Sequence, residues 1–357
     1  MKKIAIVGSV GLPAKYGGWE TLIDQLTKRL SGSFDITVYC SAKKYDEKIA
    51  VFNGVKLSYI SLDANGVQSI VYDLISMLKA VRYADTILVL GVSGCVFLPI
   101  LKSTSRSKFI VNIDGLEWRR AKWGIFAKWF LKLSEAVGVY FADVVITDNK
   151  AIKEYVKSEY CRESTLISYG GDHVTQPHRD DVILLRYGMK GVRYAFKVCR
   201  IEPENNIDII LQSFQFYHGL DLLIVGNWNN SKYGVHLKNK YEHLPHIKLL
   251  DPIYDQYILN QLRIACHVYI HGHSAGGTNP SLVEAMSLGL PVVAYDCVFN
   301  RETTCNQALY FGSSQTLIKT LNNLDAKMLV EVGLKLKHLA DQMYTWDKIS
   351  SSYAEQF

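Results

Sequence analysis

The chain alternates short apolar runs with longer stretches in which apolar residues recur at helical spacing. Short runs rich in β-branched and aromatic residues predict buried strands, whereas spacings of three and four predict helices that cover a sheet. The predicted strands span residues 3–7, 35–40, 56–62, 86–91, 108–113, 144–147, 164–168, 194–199, 221–226, 247–251, 267–272 and 291–296. Helical windows lie between them, for example at 19–30, 67–82, 124–141, 205–217, 254–265 and 280–288. This alternation predicts parallel sheets with helices on both faces.

The pattern breaks once, in a polar stretch near residues 173–190, and then begins again with a new first strand. Two such series predict two doubly wound α/β domains, at residues 1–172 and 173–340. Residues 341–357 are helical in pattern and follow no strand, so we expect this C-terminal helix to pack back on the first domain. Ligands of open α/β sheets bind beyond the carboxyl ends of the strands, which predicts a site in a cleft between two facing sheets.

Length and composition agree with a folded protein of two domains. The chain has 357 residues, of which 48% are hydrophobic and 21% charged. Its seven cysteines are scattered without metal-ligand spacing, which indicates the reduced thiols of a cytoplasmic protein. The apolar run after the basic N-terminus is too short for a signal peptide. An uncharged apolar stretch of about 18 residues, as a spanning helix needs, is missing from the sequence.

Positive charge is concentrated in the first half of the chain. Up to Asp172, lysine and arginine number 23 against 17 acidic residues, whereas the remainder has 17 of each kind. Such an excess favours an anionic partner, such as a membrane surface or a phosphate-bearing acceptor, with ordinary surface variation as the alternative.

A basic and aromatic segment, residues 118–133, contains five basic residues between Arg119 and Lys132 and no acid in that interval. A helical projection puts Lys128 and Lys132 opposite an apolar arc formed by Trp123, Phe126, Trp129, Phe130, Leu133 and Val137. Tryptophans beside lysines suit a membrane interface, and burial of the arc against a sheet is the alternative. Because these residues concentrate on one helix rather than along a groove, the pattern disfavours a nucleic-acid partner.

A glycine-rich stretch, "GSVGLPAKYGGWET" at residues 8–21, follows the first predicted strand. Its glycines do not have the dinucleotide-binding spacing. Backbone N–H groups in such a loop can approach an anion, and a lysine adds charge. The candidate contacts to an acceptor or a phosphate are therefore Gly11, Lys15, Gly17 and Gly18, with a plain strand-to-helix turn as the alternative.

Asp114 lies directly after the predicted strand 108–113. It is the one acidic residue that the predicted strands of the first half place at a carboxyl end, where side chains of a doubly wound sheet meet ligands. This position predicts a catalytic carboxylate. The alternative is that Asp114 caps the N-terminus of the next helix.

The stretch "HGHSAGGTNPSLVEAM", residues 271–286, leads from a buried strand into a helix and contains no lysine or arginine. Proline near the start of a helix and free N–H groups at its first turn, together with the helix dipole, predict an anion site. The candidate diphosphate contacts are Gly276, Gly277, Thr278 and Asn279. Glu284, one turn into the helix, is placed to accept hydrogen bonds from ribose hydroxyls, with a solvated helix face as the alternative. Arg200, at the end of the first strand of the second series, can hold two phosphate oxygens at once.

Together these segments resemble the retaining GT-B glycosyltransferases of family 4. "GGTNPSLVEAMSLGLPVVAYD" is similar to the nucleotide-sugar signature of that family, and "CRIEPENNIDIILQSF" is similar to its phosphate-arginine segment. "GLPAKYGGWETL", with "NIDGLEWRRAKWG" and "YGGD", more specifically resembles the rhamnosyltransferase-like subgroup of bacterial polysaccharide assembly. The resemblance implies two Rossmann-like domains, a nucleotide-sugar donor such as dTDP-L-rhamnose, no cofactor and a lipid-linked saccharide acceptor. It also implies a cytoplasmic protein that is peripheral at the inner face of the cell membrane.

The chain departs from the family pattern at three positions. Gly276 stands where the signature has its first glutamate, Asn205 where a lysine follows the phosphate arginine, and Asp114 where many relatives have a histidine. The donor would therefore rely on backbone N–H groups, Arg200 and the helix dipole. Gly276 and Asn205 leave open a nucleotide-sugar-binding protein with impaired catalysis, and a UDP-hexose is the alternative donor for an active enzyme.

The resemblance also implies a reaction course. In retaining GT-B enzymes the acceptor hydroxyl attacks on the side of the leaving group, and the departing phosphate takes the acceptor proton. A protein nucleophile is then unnecessary, and Asp114 is the candidate for orienting the hydroxyl. The sequence contains no Asp-x-Asp pair, which suits a reaction without a bound metal.

Overall fold

The computed structural model describes residues 1–15, 17–120, 123–174 and 178–357. Its strands are β1 (Lys3–Val7), β2 (Asp35–Ser41), β3 (Val51–Phe52), β4 (Val55–Ile60), β5 (Thr86–Leu90), β6 (Lys108–Asn112), β7 (Val144–Thr147), β8 (Thr165–Leu166), β9 (Tyr194–Val198), β10 (Asp221–Val225), β11 (Ile247–Leu250), β12 (Val268–His271), β13 (Val292–Tyr295) and β14 (Leu309–Phe311).

Helices connect most of these strands. They are α1 (Gly18–Leu30), α2 (Gln68–Ala80), α3 (Leu98–Thr104), α4 (Ile125–Phe141), α5 (Lys150–Tyr160), α6 (Asp181–Arg186), α7 (Ile207–Phe216), α8 (Lys232–Tyr241), α9 (Gln256–Ile264), α10 (Pro280–Ser287), α11 (Val298–Thr303), α12 (Ser314–Asn322), α13 (Ala326–Met343) and α14 (Trp346–Gln356).

The chain divides into two compact units. The first comprises Met1–Tyr169 together with Trp346–Phe357, and the second comprises Gly170–Thr345. In sequence terms the second unit is an insertion before α14, whose own contacts lie in the first unit. Asn112 Nδ2 donates to Tyr353 Oη over 2.7 Å, and Arg29 pairs with Asp347 at 2.6 Å.

The first unit contains a sheet of eight strands in the order β3-β4-β2-β1-β5-β6-β7-β8. All of its pairings are parallel except the antiparallel hairpin of β3 and β4 at one edge. The central strand β1 is buried from Ile4 to Val7, and every residue of β5 is buried. Because helices cover both faces of a parallel sheet, its inner strands are continuous apolar runs, as the sequence shows.

The second unit contains a parallel sheet of six strands in the order β11-β10-β9-β12-β13-β14. The strand order reverses between β9 and β12, so the carboxyl ends of these two neighbours form the point at which such sheets bind ligands. One face packs a core from β9, β10 and β12 against α7, α8 and α12, with Phe214, Trp228 and Leu317 fully buried.

The predicted strands lie within two residues of observed ones, whereas the short edge strands β3 and β14 were not predicted. Both are too short to carry an alternating pattern. Part of the predicted domain boundary, residues 175–177, lies outside the described residues. Within the described part of the chain, no helix is both long enough and apolar enough to cross a membrane.

Candidate functional site

The loop between β12 and α10 is shaped by two glycines with positive φ. Gly276 has a φ of 72° and Gly277 a φ of 40°, and residues with a Cβ rarely adopt such values. The backbone N–H groups of Gly276 and Gly277 meet no acceptor among the described residues. The loop that follows the carboxyl end of a central strand therefore contains two adjacent N–H donors. An anion bound there could accept a hydrogen bond from each of them.

The first turn of α10 does not present free N–H groups, so that part of the prediction was wrong. Asn279 is the N-cap, and its Oδ1 accepts from the N–H of Ser281 at 3.1 Å. The N–H groups of Leu282 and Val283 point back to the carbonyl of Asn279 at 3.0 and 3.3 Å. The helix dipole still favours an anion here, but the hydrogen-bond donors come from the loop before the helix.

Glu284 is part of a polar cluster and not of a solvated helix face. Its Oε2 accepts from Arg263 Nη2 at 2.7 Å, and its Oε1 lies 3.3 Å from His173 Nε2. Burial alone would raise the pKa of Glu284, but Arg263 and His173 outweigh burial and lower that pKa. Each carboxylate oxygen keeps a second lone pair, so the charged side chain can still accept hydrogen bonds from vicinal hydroxyls.

A glycine places His173 against this cluster. Gly171 lies so close to α10 that a Cβ there would come within 2.4 Å of the carbonyl oxygen of Val283. Its N–H donates to the carbonyl of Tyr344 at 2.8 Å. The "YGGD" segment singled out in the sequence thus has a structural role, which is to bring the residue after Asp172 to Glu284.

Arg200 lies just past β9 with about half of its side chain exposed, and its nearest acid is Glu202 at 3.9 Å. It is therefore available to a ligand. Asn205 does not stand in for the expected lysine, because its amide is buried and donates to the carbonyl of Arg200 at 2.9 Å. Lys197, three residues before Arg200, is fully buried, and burial lowers the pKa of its amine.

The glycine-rich loop of the first unit has tight packing of its own. A Cβ at Gly11 would lie 2.4 Å from Cys40 Sγ, and one at Gly17 would lie 2.0 Å from a carboxylate oxygen of Glu20. Glu20 accepts from the N–H of Val10 at 2.9 Å. Close packing thus accounts for these two glycines without a ligand, which favours the turn interpretation for them.

Lys15 and Gly18 are also engaged within the first unit. Lys15 Nζ donates to the carbonyl of Lys44 at 2.8 Å, and it lies 5.1 Å from the centre of the Tyr45 ring. The carbonyl of Gly18 accepts from Tyr169 Oη at 3.0 Å. The predicted contact of these residues with a ligand stays a prediction.

Asp114 does not cap a helix, so that alternative was wrong. It has a φ of 61°, and the next regular helix, α4, begins only at Ile125. Its N–H donates to Asn112 Oδ1 at 3.1 Å, and Asn112 is buried at the end of β6. The backbone is thus held in a left-handed conformation directly past the strand, as is common at functional sites.

A second carboxylate lies at the same edge of the sheet. Asp148 follows β7, which pairs with β6, and both Asp148 and Asp114 act to raise the pKa of Tyr353 after the larger effect of burial. The expectation that Asp114 is the one acidic residue at a strand end of this unit was therefore wrong. The sequence "VVITDNK" carried the signal, since Asp148 directly follows the predicted strand 144–147.

Two family models match the chain. Residues 189–339 match the glycosyl transferases group 1, and residues 1–172 match a domain of unknown function, DUF1972. The second unit carries a group 1 glycosyltransferase domain. No curated protein sequence matches the chain significantly.

Solved structures show the fold of the whole chain. Sucrose-phosphate synthase from Thermosynechococcus elongatus superposes with a TM-score of 0.85 at 14% identity, covering 100% of this chain and 98% of that one. HepE from Anabaena, solved with UDP and glucose, gives 0.79 at 17% identity and covers 100% and 99%. A trehalose-6-phosphate protein from E. coli, bound with UDP-2-fluoro glucose, gives 0.72 at 10% identity and covers 100% and 98%. The predicted GT-B fold is confirmed.

Arg263 and His173 of the second unit were not predicted as site residues. Arg263 is buried near the end of α9 and also donates to Asn260 Oδ1 at 3.1 Å. The sequence did contain one signal for it. An arginine in the last turn of an amphipathic helix, directly before the strand "CHVYI", needs an acidic partner when the surrounding residues bury it.

The predicted membrane helix exposes three of the six residues of its apolar arc and partly buries Trp123, Phe130 and Val137, so burial of the whole arc against the sheet was the wrong alternative. Phe126 is 87% exposed, Trp129 74% and Leu133 57%. The buried face of α4 consists instead of small or polar residues together with two aliphatic ones, namely Leu131, Ser134, Glu135, Gly138 and Val139. Aromatic side chains of this helix therefore face solvent. Apolar residues that are exposed singly are normal on a protein surface, but here several lie on one helix face.

Two of the five basic residues of segment 118–133 are paired with acids within the first unit. Arg120 pairs with Glu117 at 2.7 Å, and Lys132 pairs with Glu159 at 2.8 Å. Lys132 also bonds Tyr155 Oη and lies 4.9 Å from the centre of the Trp118 ring. Lys122 lies outside the described residues. The electrostatic part of the membrane prediction is thus weaker than the charge count indicates, and the apolar part is stronger.

The Arg263–Glu284 pair gives a stability prediction. Arg263→Met should lower the free energy of unfolding by about 3–5 kcal/mol, because it leaves a buried carboxylate without its main partner. The matched control is Arg301→Met, which breaks the half-exposed pair with Asp296 and should cost only about 0–1 kcal/mol. Urea unfolding of both variants measures the difference, and equal losses would contradict a buried, structurally important pair.

Proposed function

We propose that the chain is a retaining, metal-independent glycosyltransferase that moves L-rhamnose from dTDP-L-rhamnose to a lipid-linked saccharide in the synthesis of a cell-surface polysaccharide, an O-antigen or a capsule. The observation that carries the proposal is the position of a charged carboxylate, Glu284, one turn into the helix that follows the loop of Gly276 and Gly277, whose N–H groups meet no acceptor among the described residues. The sugar and the acceptor rest on the sequence resemblance alone.

The donor would be held by groups of two kinds. The N–H groups of Gly276 and Gly277, the dipole of α10 and the exposed guanidinium of Arg200 suit a diphosphate. The carboxylate of Glu284 suits the paired hydroxyls of a ribose, because Arg263 and His173 keep it ionised and fixed in direction. Thr278 and Asn279 shape the loop between these two groups.

The reaction follows the course of retaining GT-B enzymes. The acceptor hydroxyl attacks the anomeric carbon on the side of the leaving phosphate, the bond from that carbon to the phosphate oxygen breaks, and the phosphate takes the hydroxyl proton. Asp114 would orient the acceptor hydroxyl. A reaction of this kind needs no nucleophile from the protein and no bound cation.

A UDP-hexose donor is the second candidate. HepE, solved with UDP and glucose, and the E. coli protein, solved with UDP-2-fluoro glucose, share the fold of this chain and support a nucleoside diphosphate sugar as the donor class. A binding protein without catalysis is the third candidate, motivated by Gly276 and Asn205. Release of nucleoside diphosphate from a bound donor separates an enzyme from a binding protein.

The acceptor side would meet a membrane through α4. Exposed Phe126, Trp129 and Leu133 form one face of a helix whose neighbours Arg119 and Lys128 add positive charge. Aromatic side chains beside cations favour the headgroup region of a bilayer. A lipid-linked acceptor presented at such a surface needs no release into water, which supports a protein peripheral at the inner face of the cell membrane.

The donor proposal predicts the effect of removing Arg200. Arg200→Ala should weaken the binding of dTDP or UDP about 10- to 150-fold, because a hydrogen bond to a charged group contributes about 1.5–3 kcal/mol. Arg186→Ala, an exposed arginine on α6, is the matched control and should bind normally. Calorimetry measures both, and a thermal-shift panel of nucleotides first identifies the base. Equal affinity in the two variants would remove Arg200 from the site.

The acceptor proposal predicts the effect of neutralising Asp114. Asp114→Asn keeps the side-chain shape and tolerates a positive φ, so the fold should persist. Turnover should fall about 10²-fold, because an acceptor hydroxyl that is no longer oriented reacts more slowly. Donor affinity should not change, because the proposed donor groups belong to the second unit. Asp148→Asn tests the neighbouring carboxylate in the same assay of nucleotide release. Normal turnover in Asp114→Asn, with a loss in Asp148→Asn, would transfer the role to Asp148.

The membrane proposal predicts a loss of vesicle binding. The double variant Phe126→Ser/Trp129→Ser should lower partition onto anionic vesicles at least about tenfold, because each buried aromatic side chain contributes about 1.5–3 kcal/mol. Phe216→Ser removes an equally exposed aromatic residue from the second unit and serves as the control. Because Arg120 and Lys132 are already paired with acids of the first unit, added salt should weaken binding less than the double variant does. Unchanged co-sedimentation of the double variant would contradict the proposal.

A further inference from the structure

A chain of hydrogen bonds connects Arg200 to the loop between β12 and α10, called the glycine loop below because it contains Gly276 and Gly277. Asn205 Nδ2 donates to the carbonyl of Arg200 at 2.9 Å, and Asn205 Oδ1 lies 3.2 Å from His273 Nδ1. On its other side, His273 Nε2 lies 2.5 Å from the carbonyl of Ala275. Asn205 and His273 are both buried, so these contacts do not compete with bulk water.

The directions of these hydrogen bonds determine how many ring protons His273 needs to satisfy both of its neighbours. The carbonyl of Arg200 can only accept, so the amide of Asn205 presents its NH₂ group to Arg200 and its oxygen to His273. The carbonyl of Ala275 can also only accept. Both ring nitrogens of His273 therefore face acceptors. A neutral imidazole has one N–H and satisfies one of them, whereas an imidazolium has two and satisfies both.

Several titratable groups surround His273. The His271 ring lies 6.4 Å away, and neither of its nitrogens has a partner among the described residues. Burial, then Lys197 and His273, lower the pKa of His271, so His271 is neutral near pH 7. The other titratable groups nearby are Arg200 and Glu204 on the segment after β9, and Cys297, whose Sγ is 3.8 Å from the carbonyl of His273. Burial raises the pKa of that thiol.

Positive neighbours oppose a second proton on His273, and a bound anion offsets that opposition. Lys197 and Arg200 add positive charge to the carboxyl end of β9, beside the loop that presents the N–H groups of Gly276 and Gly277. A diphosphate at these groups would bring negative charge close to the histidine. The imidazolium would then be stabilised by its two hydrogen bonds and by the ligand together.

We propose that His273 is a positioning residue that takes up a proton from solvent when the donor diphosphate binds, and that the resulting imidazolium completes the bond chain from Arg200 to the glycine loop. The proposal rests on the donor site proposed above. It gives the site a further positive charge in place of a lysine at position 205. The charge acts through the loop, because both ring nitrogens bond to the protein and neither reaches the ligand.

Proton uptake on binding tests the proposal. Calorimetry of dTDP or UDP, in buffers of different ionisation enthalpy at about pH 8, should show uptake of up to about one proton per nucleotide. Wild-type affinity should fall by up to about tenfold per pH unit above the titration of free His273. His273→Gln keeps a donor to Ala275 but cannot titrate, so it should bind more weakly, without uptake and with a flat pH profile.

His271→Gln is the matched control, since it removes the other buried histidine of the same strand end. Its proton uptake should persist. A binding enthalpy that does not depend on the buffer in the wild-type protein, or uptake that survives in folded His273→Gln, would overturn the proposal. Circular dichroism establishes that the variants are folded.

Ring-nitrogen NMR separates this inference from the donor proposal. Inorganic pyrophosphate should shift the His273 signals of the wild-type protein to those of an imidazolium, whichever nucleotide the site prefers. Failure of every nucleotide to bind, with a normal pyrophosphate response, would count against the donor proposal and support the role of His273. A neutral His273 in saturating nucleotide or pyrophosphate would refute the inference on its own.

Discussion

The buried ion pair between Arg263 and Glu284 is the constraint on which the second unit's site depends. It joins the end of α9 to the middle of α10, the two helices that precede and follow β12. Taking both charges out of water costs free energy, and the close geometry of the pair offsets part of that cost. Asn260 and His173 contact further atoms of the two side chains, whereas Arg263 Nε has no partner among the described residues. A carboxylate held in this way stays ionised and keeps one direction. Both properties are needed by a group that receives hydroxyl hydrogen bonds.

A loop without lysine can still attract an anion because its positive charge is distributed. Gly276 and Gly277 supply N–H groups, α10 supplies its dipole, and Arg200 supplies a half-exposed guanidinium. Behind them lie Lys197 and His271, whose pKa values are lowered mainly by burial. Buried basic groups without acidic partners are costly in the free protein, and an anion reduces that cost. The site thus appears in the structure as a set of unsatisfied donors rather than as a single strong cation.

The orientation of α4 shows the limit of periodicity. Its apolar arc was visible in the sequence, but the arc alone does not say which face a helix buries. Ser134 and Gly138 decide the matter, because small residues let α4 approach the sheet closely. Ser134 Oγ donates to the carbonyl of Val92 and accepts from the N–H of Val96, and Gly138 lies against Cys95. The aromatic residues then remain outside. A buried face held by hydrogen bonds leaves Phe126, Trp129 and Leu133 exposed.

The difference between what could and could not be predicted follows from the range of the interactions. Strands such as β1 were predicted to the residue because burial on both faces makes them continuous apolar runs. The partners of Glu284 were not predicted, because a pairing across 21 residues leaves no local pattern. Asn279 marks the start of α10 correctly, yet the same side chain takes the N–H of Ser281, on which the predicted anion site relied. A good cap removes a donor from the helix end, so the N–H groups without an acceptor among the described residues are those of Gly276 and Gly277, before the helix begins.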